Sequence, residues 1–205
     1  LLITLTLTAQ STTATWYLND TSGDGVQSYT NTASGDFSTA MGNGTTANGD
    51  YSTAMGIGTQ ASGYSSTTMG NETTASGYVS TAMGYYTTAS GSRSTAIGEG
   101  TTASGGRSTA MGLYTIASDR SSLVIGEYNL LGSTVTNSAT QFSTDNTAFV
   151  IGNGADSDNR SDALTVLFNG DATLAGSMTA TSFVGDGSQL TNLPASTVNY
   201  SDLDD

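Results

Sequence analysis

"STAMGNGTTANGDYSTAMG", residues 38–56, contains the pentapeptide STAMG twice at an interval of fourteen residues. The interval holds outward from this stretch. Units open at Gly35, Gly49, Gly63, Gly77, Gly91 and Gly105, and a seventh, degenerate one opens at Asp119. With each opening residue taken as place one, a second glycine recurs at place eight: Gly42, Gly56, Gly70, Gly84, Gly98, Gly112 and Gly126. A helix is a poor host for two glycines per unit, each costing about 0.5–1 kcal/mol relative to Ala, beside Thr and Ser that prefer strands and turns. Two short strands per unit, joined by tight turns in which glycine allows positive φ or close backbone approach, make a β-solenoid with one coil per repeat.

The period-two geometry of a strand puts places five and seven on one face. Thr39 and Met41 share it in the first coil, and Leu123 and Ile125 in the last. The expected core ladder is therefore Met41, Met55, Met69, Met83, Ile97, Met111 and Ile125. In the second strand a small residue recurs as Ala47, Ala61, Ala75, Ala89, Ala103 and Ala117. Like residues stack at about 4.8 Å, so each coil offers its neighbour the same surface. One Met, two Ala and a few Thr methyls per coil bury too little to order fourteen residues alone. Stacking and lateral association of chains are expected to supply the remainder, which predicts an oligomer.

Composition narrows the chemistry. The 205 residues include no Cys and no His, which excludes disulfides, the usual zinc sites and His-based catalysis. A net charge of −13, with four Arg and no Lys, argues against nucleic acid and anionic lipid as partners. Nine of the seventeen carboxylates lie from Asp145 onward, against the single Arg160. The opening "LLITLTLTAQ", residues 1–10, alternates Leu or Ile with Thr and reads as a half-buried strand rather than the tail of a secretory signal. It is too short and too polar to span a membrane, so no direct membrane insertion by this segment is expected. The absent initiator Met reads as a processed chain or a fragment.

The unit "STAMG…TTASG" resembles the head repeat of trimeric autotransporter adhesins (YadA-like heads), whose fourteen-residue coils carry an SVAIG-type core. The resemblance covers roughly Asn31 to Gly132. It implies a left-handed parallel β-roll made by three identical chains, displayed on a cell surface and used for attachment, with no catalytic residues and no cofactor. Here Thr and Met replace the usual Val and Ile, which makes the ladder more polar and adaptable. The segment "FVGDGSQLTNLP", residues 183–194, is similar to connectors of phage tail fibres and bacterial fibre proteins.

The expected organisation is an N-terminal strand region over 1–30 and a β-roll over 31–132. A β-rich connector with one further coil, "TAFVIGNG" at 147–154, follows over 133–194, and an acidic tail or linker over 195–205. The variable places are the exposed turns. They carry Phe37, Tyr51, Tyr64, Tyr78, Tyr85, Tyr86, Tyr114 and Tyr128, with Arg93, Arg107 and Arg120 in consecutive coils. Aromatic and Arg side chains on a rigid lattice are typical anchors for protein or glycan ligands, and the competing reading is that they cover interchain grooves or stack on one another. The arginines could also meet Glu72, Glu99 and Glu127 in a surface ion-pair network. A glycosidase pair made by Glu99 and Glu127, two coils and hence about 10 Å apart, would be too widely spaced for a retaining enzyme and marginal for an inverting one. Asp156, Asp158 and Asp162 in "DSDNRSD" make either a solvated turn or a calcium clamp. The functional expectation is a non-enzymatic homotrimeric fibre that attaches to a host protein or glycan receptor. A phage tail or virion fibre is the first alternative, and a structural spacer filament the second.

Overall fold

The computed structural model describes residues 30–132, 137–179 and 181, together with the backbone of 16–18 and 26–28. The strand expected over 1–10, the fibre-type segment 183–194 and the acidic tail lie outside the described residues. All regular elements among the described residues are strands.

The chain winds as a parallel β-solenoid of about seven turns, and each turn contributes one five-residue and one two-residue strand. In chain order these are β1 (Trp16–Leu18), β2 (Val26–Ser28), β3 (Thr32–Ala33), β4 (Thr39–Asn43), β5 (Thr46–Ala47), β6 (Thr53–Ile57), β7 (Gln60–Ala61), β8 (Thr67–Asn71), β9 (Thr74–Ala75) and β10 (Thr81–Tyr85). There follow β11 (Thr88–Ala89), β12 (Thr95–Glu99), β13 (Thr102–Ala103), β14 (Thr109–Leu113), β15 (Ile116–Ala117), β16 (Leu123–Glu127), β17 (Thr147–Asn153), β18 (Asp162–Leu167) and β19 (Ala172–Leu174). The even strands from β4 to β16 stack in one long sheet, and the odd strands from β3 to β15 stack in a short one. Pairing is in strict repeat register, with Ala82 opposite Ala96, Met83 opposite Ile97 and Gly84 opposite Gly98. The turns join the ladder too: Tyr51 N donates to Asp36 O at 2.7 Å and Arg93 N to Tyr78 O at 2.7 Å. Each exposed turn is thus tied to its neighbour by a backbone hydrogen bond of its own.

The interior corrects the expected core ladder. Ala40, Ala54, Ala82, Ala96 and Ala110 at place six are fully buried, and they face the buried Ala47, Ala61, Ala75, Ala89, Ala103 and Ala117 of the short sheet. Met41, Met55, Met83, Ile97 and Ile125 are half-buried, while Met69 and Met111 are 44% and 36% exposed, so this row points away from the interior. The expected phase is off by one residue, which turns every side chain of a strand to its other face. The reason is width. A fourteen-residue coil brings its two sheets so close that Ala against Ala fills the space, with Ser and Thr at the corners such as Ser52 and Thr59. Thr68 takes the alanine position in the third coil and divides the apolar interior into two clusters, Ala33 to Ala61 and Ala75 to Val150.

The rod is ended by side chains that imitate a missing rung. Asn129 stands at place eleven of the last coil, where the others have Thr. Its Oδ1 accepts from Ile116 N at 2.7 Å and its Nδ2 donates to Ile116 O at 3.0 Å, which closes the open edge of β15. At the other end Asn31 bonds differently, its Oδ1 accepting from Thr45 N at 2.9 Å and its Nδ2 donating to Gly42 O at 3.0 Å. Asp119, where the other coils open with Gly, accepts from Thr147 N at 2.7 Å and ties the returning chain to the roll. From there β17 adds to the long sheet parallel to β16, with Val150 opposite Val124, and β18 and β19 then fold back antiparallel. Asn129→Ala is expected to cost about 1–2 kcal/mol through the orphaned groups of Ile116. Hydrogen exchange should accelerate at Ile116 and stay unchanged at Thr88, two coils further into the stack.

Candidate functional site

Each coil makes two turns, and they lie at opposite edges of the roll. The first, at places two and three, leads from the short sheet into the long one; the second, at places nine and ten, leads back. The turn residues Tyr51, Arg93 and Arg107 have φ of 58°, 60° and 62°, and Tyr86 and Tyr114 have 52° and 50°. Left-handed backbone at non-glycine residues costs about 1–3 kcal/mol each and is kept only where surroundings impose it. Here the turn-to-turn hydrogen bonds impose it, Arg107 N to Ser92 O at 2.8 Å and Tyr114 N to Glu99 O at 2.7 Å among them. The side chains consequently project from a fixed lattice.

Of the residues read as binding anchors, Tyr51, Tyr64, Tyr78, Arg93, Arg107 and Arg120 occupy the first edge, and Tyr85, Tyr86 and Tyr114 the second. Along the first edge Phe37, Tyr51, Tyr64 and Tyr78 form one continuous aromatic column with successive centroids 5.4 Å apart. The Arg93 guanidinium lies 5.2 Å from the Tyr78 centroid and caps the column. These rings do stack on one another, yet Phe37, Tyr51, Tyr64 and Tyr78 all remain exposed. On the second edge Tyr85 and Tyr86 meet edge to face at 4.4 Å, and Tyr114 stacks on Tyr128 at 5.1 Å. Local desolvation, then Tyr86 and Glu99 beside it, raise the Tyr85 pKa; desolvation and Tyr114 do the same at Tyr128. Both phenols stay neutral hydrogen-bonding groups at physiological pH.

The ion-pair network expected between the arginines and Glu72, Glu99 and Glu127 is not built. The arginines sit at first turns and the glutamates at second turns, so the width of the roll separates them. Arg120 Nη1 instead donates to Thr140 O at 3.0 Å. Glu99 and Glu127 flank Leu113 in register, exposed on the same edge. In "DSDNRSD" the Asp156 carboxylate accepts from Asp158 N, Asn159 N and Asn159 Nδ2, each at 2.9 Å, and these bonds, the Asn159 side chain foremost, lower its pKa. Asp162 faces elsewhere, accepting from Leu130 N and Thr165 Oγ1. The described residues hold no group of three side chains placed for a metal ion.

Two contributors escaped the sequence reading. Arg160 lies 5.5 Å from the Tyr128 centroid and donates to Tyr114 O at 3.0 Å, closing the second aromatic stack. Its only signal was its isolation among the acids of the C-terminal part. The other is the out-of-period segment after Gly132, whose residues Ser138 and Ala139 accept from Arg120 N and Gly106 N, both at 2.7 Å.

The class defined by these features is a repeat β-solenoid with two rigid edges that bear aromatic and arginine side chains. Residues 33–59, 61–87 and 89–115 match the family described as YadA head domain repeat (2 copies). That family is a structural adhesin domain and not a family of enzymes. The matches end at residue 115, and the resemblance of 183–194 to fibre connectors finds no support among them. No curated protein matches the chain.

Proposed function

We propose that this chain is a segment of a homotrimeric, surface-displayed adhesive fibre, acting outside the cell by binding rather than by catalysis. The observation that carries the reading is the outward Thr and Met row of the long sheet. The interior is already filled by alanine, and yet a second apolar row, Met41 to Ile125, runs unbroken along the outside at repeat spacing. Apolar rows of that length are retained where another surface covers them. Identical chains offer such a surface in matching register, and the YadA head match supports three of them. The two turn edges are left to meet a host protein or glycan.

Adhesion is tested on the first edge. Tyr64→Ser, Tyr78→Ser and Arg93→Ser together remove the middle and the cap of the aromatic column while leaving every backbone hydrogen bond in place. Beads carrying the triple variant are expected to lose at least about tenfold in retention on cells or extracellular matrix, since exposed aromatic and Arg anchors dominate binding energy. Folding stability should fall by no more than the loss of exposed ring contacts allows, about 0.5–1.5 kcal/mol per pair. Retention that is absent in the unaltered chain, or unchanged in the variant, would favour a spacer filament.

A further inference from the structure

We propose that the groove between Arg107, Arg120 and the loop around Ala139 is a subsite for an anionic sugar, one carrying a carboxylate or sulfate group. The proposal rests on the adhesive reading above and gives it a ligand chemistry. The groove measures about 340 Å³ and is lined by Ser90, Ser92, Ser104, Arg107, Arg120 and Thr140. That volume lies at the small end of ligand clefts, which suits a sugar ring better than a length of peptide.

Charge makes the case for an anion. The chain has four arginines against seventeen acids, and two of the four line this one groove, with no carboxylate among its lining residues. Arg93 and Arg160 are engaged over tyrosine rings, and Arg120 has given one of its five N–H donors to Thr140 O. Arg107 is exposed, and no hydrogen bond of its guanidinium is seen among the described residues. A guanidinium fork matches carboxylate and sulfate oxygens two at a time. The surrounding Ser and Thr hydroxyls both donate and accept, which is what the vicinal hydroxyls of a sugar require.

The groove is built by sequence departures confined to this place. Other coils carry Asp36, Asp50, Tyr64, Tyr78, Ser92 or Arg120 at place two, whereas the sixth carries Gly106. A Cβ there would come within 3.3 Å of Ala139 O, the same oxygen that Gly106 N reaches at 2.7 Å. The side chain is omitted where the loop docks. The loop interrupts an otherwise constant period, and in solenoids such insertions gather on a face that is often the binding one. Ser90 and Ser104 follow the short strands β11 and β13, so this wall of the groove lies on the side away from the Met row.

The test is calorimetric titration of the whole 205-residue chain, as it assembles in solution, with sialyllactose, sulfated lactose, lactose and hexaglutamate. Sialyllactose or sulfated lactose should bind at least about tenfold more tightly than lactose, and which of the two is preferred identifies the acid group. Arg107→Gln should weaken that binding about tenfold or more at unchanged circular dichroism, and Arg107→Lys should recover part of it, a point charge lacking the fork. Equal affinity for lactose, tighter binding of hexaglutamate, or an Arg107→Gln chain that binds like the parent overturns the subsite. If the triple first-edge variant still loses adhesion in that event, the adhesive reading survives without it; if both experiments show no effect, both fall.

Discussion

Gly84→Ala is expected to abolish the folded rod. Gly84 has a φ of +122°, a region closed to residues with a side chain. A Cβ built on it falls on the carbonyl oxygen of Gly98 and lies 2.9 Å from the carbonyl carbon, so the obstacle is the backbone of the next coil rather than a side chain that could swing away. Relief would require the two coils to part, which breaks the ladder between β10 and β12 at the middle of the stack. In a quasi-one-dimensional protein each coil is stable only through its neighbours, so a break there leaves two short stacks with a raw edge apiece. The expected cost exceeds about 4 kcal/mol, the range reserved for strain and overpacking at sites that cannot relax. Gly44→Ala is the matched control. Gly44 also has positive φ, +66°, but nothing stands within 4 Å of the added atom, so the cost should be about 1–2 kcal/mol. Thermal melting followed by circular dichroism separates the two, and similar melts would mean that coils 77–90 and 91–104 are not in contact as described.

The same glycines explain why so much of the fold could be read from letters alone. A fixed fourteen-residue period leaves one pitch for the stack, and two glycines per period fix where the backbone of adjacent coils must touch. What the period does not disclose is the phase of the strand. Taking the largest apolar residue as the interior one puts Met83 inside and Ala82 outside, and the structure has the reverse. The signal was present in the second strand: where Ala89 is the only size that fits one wall, the wall opposite must be small as well, and Ala82 is the small residue available.

At the edges, the variable places were legible as exposed turns because packing constrains them least. Their division into two edges follows from the coil's geometry, and it is what separates Arg107 from Glu99. The groove at Arg107 and Arg120 was not legible, because its wall comes from residues 138–140, which lie outside the repeat and carry no periodic cue. Arg160 was hidden for a similar reason, reaching Tyr114 across 46 residues of chain. The departures that mark the ends, Asp119 for Gly and Asn129 for Thr, were visible as imperfections of the seventh coil. Their meaning required the missing next rung: a side chain fits at place one once no further coil presses on it, and an amide can stand in for the backbone that would have followed.

Met69→Glu combined with Met83→Glu bears on the assembly and leaves the interior of each chain alone. Both positions point outward, with Met69 44% exposed, so in a solitary rod two new carboxylates would remain in water and cost little, within about 0.5 kcal/mol each. In the proposed trimer the same substitutions bring six carboxylates together around a shared axis, where desolvation and mutual repulsion cost several kcal/mol per buried charge. The chain is therefore expected to fall to one third of its mass by light scattering and to lose the concentration dependence of its melting temperature, which is the mark of coupled association. Met69→Leu with Met83→Ile keeps the apolar area and should leave both quantities close to the parent's. The pair of variants distinguishes a surface that is apolar by accident from one that holds chains together. A parent chain that already sediments as a monomer, with the glutamate variant melting at the same temperature, would remove the trimer while leaving the alanine-filled roll intact.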